Sequence, residues 1–177
     1  MSSRLPEFID PWHFAEIGKE ISGHVELSGF SRLSEVLVDS AGEAEFELRF
    51  QKGEKQQVHI AGYVRAELSL ECQRCLEPVR MPITTELDVV VVEGYEEAGL
   101  LGDEFEPLLA GDKRIRLNEV IEDELLLALP QVPMHQQGEC VASFDNAGCS
   151  PEQVDEDQGK KKPNPFAVLA DLKSKQN

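Results

Sequence analysis

Two runs of alternating apolar and polar residues, joined by the segment Leu70 to Pro78, leave this chain few choices of fold. In the first run Val58, Ile60, Val64, Ala66, Leu68 and Leu70 fall on every second position, and Gly62 keeps the register. Gln57, His59, Arg65, Glu67, Ser69 and Glu71 occupy the opposite side. In the second run Val79, Met81, Ile83, Leu87, Val89 and Val91 alternate with Arg80, Thr84, Glu86 and Asp88. A period of two is that of a strand with one buried face. The joining segment, Leu-Glu-Cys-Gln-Arg-Cys-Leu-Glu-Pro, is too short for a crossover, so the runs pair as an antiparallel hairpin with Cys72 and Cys75 at its tip.

That placement constrains the chemistry of the Cys-x-x-Cys pair. A redox pair normally opens a helix, whose amides and dipole acidify the first thiol, and no helical pattern follows here. A hairpin tip instead brings two sulfurs within reach of one tetrahedral zinc. Cys140 and Cys149 are candidates for the other two ligands, although the eight residues between them exceed the usual ligand spacing; His135 is the candidate substitute. Reduced metal-free thiols, one structural zinc, or a disulfide or catalytic use all remain open.

The rest of the chain fits a β-rich domain. Asp10-Pro11 before Trp12, Phe14, Ala15 and Ile17 predicts a short capped helix ending at Gly18. Two strand-like pieces flank Ser28-Gly29 between His24 and Val38, and Ala44, Phe46, Leu48 and Phe50 alternate with Glu43, Glu45, Glu47 and Arg49. Gly53-Glu54 marks the turn into the hairpin. Successive strands without intervening helices predict an antiparallel sheet, barrel or sandwich, within an α+β class containing a few short helices. Gly94 to Gly111 reads as an acidic loop with one short edge strand, and Leu117 to Leu129 as a helix capped by Asn118 and stopped by Pro130. The expected organisation is one domain over 1–135, a polar mobile linker over 136–163, and an amphipathic anchor over 164–177 that forms a flexible C-terminal tail.

Charge and motifs limit the function. Seventeen Lys and Arg against 34 Asp and Glu give a formal charge of −17, which repels phosphates and attracts basic partners. The N-terminal residues lack a signal-peptide core and no apolar run approaches membrane-spanning length, so a cytoplasmic protein is expected. The chain contains no Gly-rich phosphate loop, Gly-x-Ser-x-Gly elbow or His-Glu-x-x-His pair. His13, His24, His59 and His135 are scattered, and Glu96-Glu97 and Glu122-Asp123 read as solvated charge. The expectation is no enzymatic activity and no small-molecule substrate.

Three blocks in order, Leu70 to Pro78, Val120 to His135 and Lys162 to Lys173, resemble the signatures of the YceD family of large ribosomal RNA subunit accumulation proteins. The resemblance implies a role in the synthesis, processing or stability of 23S ribosomal RNA, and a link to a small zinc-ribbon protein of the large subunit. It also implies, in some members, a second cysteine cluster that completes a metal site with the hairpin pair. This chain departs from that pattern, since Val-Ala-Ser-Phe-Asp-Asn-Ala-Gly separates Cys140 from Cys149. A basic large-subunit protein or a pre-ribosomal particle is the expected partner, contacted through Arg74, Arg80 and the tail residues Asn164, Pro165, Phe166 and Leu169. Direct binding of 23S RNA through Arg74, Arg80, Lys113, Arg114, Arg116 and Lys160 to Lys162 is the alternative; a ribosomal-RNA-processing enzyme is a further one.

Overall fold

In the computed structural model the described residues are 6–53, 56–102 and 104–140. Asp10 caps the first helix, α1 (Pro11–Glu16), by accepting from the His13 N–H at 3.1 Å, with Pro11 at its first position. Strands β1 (Glu20–Glu26), β2 (Glu43–Lys52), β3 (Val58–Glu71) and β4 (Pro78–Val92) pair antiparallel in chain order. The alternation places Phe46, Leu48, Phe50, Ile60, Val64 and Leu68 on one buried face. Gly62 lies opposite Leu48, and a Cβ there would stand only 1.9 Å from the Glu47 carbonyl oxygen, so glycine permits a close approach of two backbones.

Helix α4 (Leu117–Leu127) covers the apolar face beside α1, burying Leu117, Ile121 and Leu125 completely. The expected β-rich α+β class is present. Among the described residues barrel closure and a second sandwich sheet are not, because β1 and β5 (Glu106–Leu109) are the two edges of one open five-stranded sheet. β5 also departs from the antiparallel expectation. The crossover through α3 (Tyr95–Ala98) brings it back parallel to β4, with Val89 opposite Glu106.

Two local expectations are corrected. The second strand-like piece, after Ser28-Gly29, contains the helical turn α2 (Ser31–Ser34). A distant side chain holds it there: Glu122 of α4 accepts the N–H groups of Arg32 at 2.7 Å and Leu33 at 3.0 Å on one carboxylate oxygen. Its other oxygen takes Arg32 Nε and Nη2 at 3.1 and 2.9 Å. Burial pushes the Glu122 carboxyl up, but the two amides and the guanidinium together hold it below its usual value. Glu122 therefore anchors α2 and is not solvated charge. Asn118 does not cap α4, which begins at the fully buried Leu117; Arg116 holds the position before it in an extended conformation, without a side-chain capping bond.

Candidate metal centre at the hairpin tip

The β3–β4 hairpin outruns the sheet. β2 pairs with β3 only as far as Ala66, while β3 and β4 stay paired out to Glu71 and Pro78. The free side of the extension is partly covered by the Val38 N–H, which bonds the Ser69 carbonyl at 2.8 Å. At the tip Cys72 N–H bonds the Glu77 carbonyl at 3.0 Å, and Leu76 N–H closes the turn on the Cys72 carbonyl at 2.8 Å. Leu76 takes a left-handed backbone conformation, φ 64°, an unfavourable choice for a branched side chain and one that must be held by its surroundings.

The segment after α4 supplies the other half of the site. Gln73 N–H bonds the Pro133 carbonyl at 2.8 Å, which lays residues 131–135 over the tip. His135 then donates its backbone N–H to Cys72 Sγ at 3.4 Å. Its ring Nε2 lies 3.1 Å from the Pro78 carbonyl oxygen. A carbonyl only accepts, so this contact assigns the proton to Nε2 and leaves the Nδ1 lone pair facing inward.

Nδ1 meets Cys75 Sγ at 3.4 Å and Cys140 Sγ at 3.8 Å, and Cys140 Sγ lies 3.9 Å from Cys72 Sγ. All four donor atoms fall within 4.8 Å of one another. A tetrahedral zinc with Zn–S near 2.3 Å and Zn–N near 2.05 Å requires edges of about 3.8 Å between sulfurs and about 3.6 Å between sulfur and nitrogen. The three cited separations match these edges closely.

The electrostatics suit a cation as well. Burial pushes the Cys72 thiol up, but N–H groups of His135, Cys75 and Arg74 aimed at its sulfur outweigh burial and hold it at about 5. Cys140 is pushed the other way, first by burial and then by the neighbouring Cys75 and Cys72 sulfurs. Three sulfurs this close cannot all be anionic unless positive charge is added among them, and a divalent ion at the centre supplies it. Arg74 adds a full charge from outside, with Nη1 3.7 Å from Cys140 Sγ and Nη2 3.6 Å from Met134 Sδ.

Of the residues singled out in the sequence, the structure brings together Cys72, Cys75, Cys140, His135 and Arg74. Arg80 stands apart, paired with Glu67 at 3.3 Å. Cys149, Asn164, Pro165, Phe166, Leu169 and the Lys160–Lys162 run lie outside the described residues. The structure uses His135 as a primary member of the group, and its five-residue step to Cys140, following Pro133, was the available signal. The Pro78 carbonyl and the role of Arg74 beside the sulfurs had no sequence signal.

Comparison with known proteins agrees with the resemblance read from the sequence. The family described as large ribosomal RNA subunit accumulation protein YceD matches residues 60–173. A relative of that same name in Haemophilus influenzae is 35% identical over 175 residues, spanning 97% of this chain and 98% of the relative. No solved structure matches. The chain belongs to the YceD family.

Proposed function

From its place in the YceD family, we propose that this chain is a non-enzymatic factor in the biogenesis of the large ribosomal subunit. It supports the accumulation of 23S ribosomal RNA in the cytoplasm by engaging a basic large-subunit protein or an assembly particle, and one structural zinc holds its hairpin tip. The observation that carries the reading is the near full-length likeness to a relative named for large-subunit RNA accumulation.

Charge favours a protein partner over naked RNA. The formal charge is −17, and many described cations are already matched to carboxylates. Arg49 meets Glu20 and Glu47, Arg65 meets Glu45, Arg80 meets Glu67, Lys113 meets Glu93 and Arg116 meets Glu119. Such pairing leaves little for the phosphate contacts on which nucleic-acid affinity depends. For the metal, the support is the agreement between the donor separations and the edges of a zinc tetrahedron. Bound zinc would fix the geometry of the tip; Cys72, Cys75, Cys140 and His135 would hold it, and Arg74 would offset the surplus negative charge of three thiolates.

Deleting the gene should lower mature 23S relative to 16S ribosomal RNA and accumulate immature large-subunit particles on sucrose gradients. Normal ratios and profiles, also in the cold, would defeat the assembly role. Cleavage or modification of ribosomal RNA by the purified protein would defeat its non-enzymatic character. Tighter binding to naked 23S fragments than to basic large-subunit proteins at physiological salt would replace the protein partner with RNA. For the metal, protein purified without chelator should contain one zinc per chain. Substituting cobalt should give the absorption of a three-sulfur, one-nitrogen tetrahedral site.

A further inference from the structure

We propose that the hairpin-tip site is also a thiol switch, in which a hydroperoxide joins Cys72 and Cys140 in a reversible disulfide. The proposal rests on the metal reading only for its consequence, release of the ion; the sulfur chemistry needs the thiols alone.

The geometry selects the pair. Cys72 and Cys140 sulfurs are 3.9 Å apart, so bond formation needs a closing movement of about 2 Å given an S–S bond near 2.05 Å. Cys72 is fixed at the end of β3 and fully buried. Cys140 is half-buried, just beyond Gly138 with its φ of +94°, in a stretch assigned neither to a helix nor to a strand. One sulfur is thus held by the sheet while the other can move. Cys75 is placed differently, with its sulfur against His135 Nδ1 at 3.4 Å.

The reaction balances with the peroxide as two-electron oxidant. Cys140 is the accessible sulfur of the pair; on giving up its proton to water it attacks the O–O bond, takes one oxygen as a sulfenic acid and releases the other as hydroxide or water. Cys72 thiolate then attacks Cys140 Sγ, forming the S–S bond and expelling the sulfenic oxygen as hydroxide, which a proton converts to water. Overall, two thiols and one hydrogen peroxide become one disulfide and two waters, and an organic hydroperoxide yields one alcohol and one water instead. Of the four described donors Cys75 and His135 then remain, too few for a closed structural zinc site, and the ion leaves. A dithiol reductant restores both thiols.

The test uses the full chain, purified anaerobically without chelator and treated with equimolar hydrogen peroxide. A chromogenic chelator reports zinc release, and non-reducing mass spectrometry maps the disulfides. Trypsin cuts after Arg74 and separates Cys72 from Cys75, while cleavage before Asp145 separates Cys140 from Cys149. The expected result is a dominant Cys72–Cys140 disulfide, formed in step with zinc release and reversed by dithiothreitol plus zinc. Cys140→Ser should abolish it and Cys149→Ser should leave it unchanged, with far-ultraviolet circular dichroism confirming that both variants fold. Thiols that survive the peroxide, over-oxidation to sulfinic acid without a disulfide, or a dominant link to Cys75 or Cys149 would overturn the switch. If the disulfide forms in a protein that never contains zinc, the metal reading fails and the switch stands. If zinc is bound and retained with all thiols intact, the switch fails and the metal reading stands.

Discussion

Replacing Glu122 tests how one buried carboxylate holds two distant parts of the chain together. Its two oxygens have separate duties. One accepts the backbone N–H groups of Arg32 and Leu33 at 2.7 and 3.0 Å, and the other accepts Arg32 Nε and Nη2 at 3.1 and 2.9 Å. Glu122→Ala removes both duties and strands the amides of α2 beneath α4. Hydrogen bonds to a charged acceptor contribute about 1.5–3 kcal/mol each, and stranded amides about 1–3 kcal/mol each. These terms overlap, and water can reach the exposed side of Arg32, so the expected loss is about 3 kcal/mol. Glu122→Gln separates the two duties. Its carbonyl oxygen can keep both amides, whereas its NH2 group faces the guanidinium donor to donor, so it should lose about half as much.

Urea unfolding followed by circular dichroism measures both variants, with unchanged slopes showing that only stability has changed. A pH series adds an independent check. The carboxyl of Glu122 is held below the ordinary carboxylate range in the folded protein, so its contribution is fully present above that range. It is lost as pH falls through the depressed folded value, and the gap between the native protein and Glu122→Gln should close across that acidic window. An alanine variant within about 0.5 kcal/mol of the parent, or a gap that does not change with acid, would refute the assignment of Glu122 as the anchor of α2.

Further outcomes follow from the same packing. Gly62→Ala forces a methyl to 1.9 Å from the Glu47 carbonyl oxygen and should destabilise the protein by about 2 kcal/mol or prevent folding, read as a lower thermal midpoint. Leu125→Ala empties a fully buried position under α4 and should lose about 3 kcal/mol in the same urea assay. His135→Ala removes both the inward Nδ1 and the tie to Pro78, and should abolish stoichiometric zinc while leaving the circular dichroism of the sheet unchanged. Chelation of the native protein should expose the amides of Gln73 and His135 to rapid hydrogen exchange while those in the middle of β3 stay protected.

The sequence revealed what depends on neighbours and concealed what depends on distance. The hairpin was legible because its period of two runs through β3 and most of β4, and the short Cys72 to Pro78 connection admits only an antiparallel return. α1 was legible because Asp10 and Pro11 act within one turn. α2 was not, since the carboxylate that satisfies its amides lies 90 residues away at Glu122. The parallel pairing of β5 was also hidden, because the direction of a four-residue edge strand is decided by the crossover before it. At the tip, the first two cysteines announced themselves by spacing. The second pair did so only through the five-residue step from His135 to Cys140, because what matches them to the hairpin, the Gln73–Pro133 bond and the Pro78 carbonyl, leaves no mark on residue type.

These distances would let the proposed change of state at the tip proceed without endangering the fold. The core runs beneath β2, β3 and β4 and reaches the tip at Cys72, with Cys75 and Cys140 packed against its end, and the four donor atoms draw on two chain segments. Cys72 belongs to both regions, fully buried at the end of the sheet and yet one corner of the donor group. A ligand at the centre would therefore add to the Gln73–Pro133 and His135–Pro78 ties between residues 131–140 and the end of the hairpin, and its loss would loosen that segment while the β3–β4 hydrogen bonds persist. Free energy from a metal bound at this site would act on the shape of a projecting surface and only weakly on global stability. Under the proposed function, such a surface is where a partner would meet the tip: Arg74 lies against Cys140 Sγ and Met134 Sδ, and Leu76 is 67% exposed.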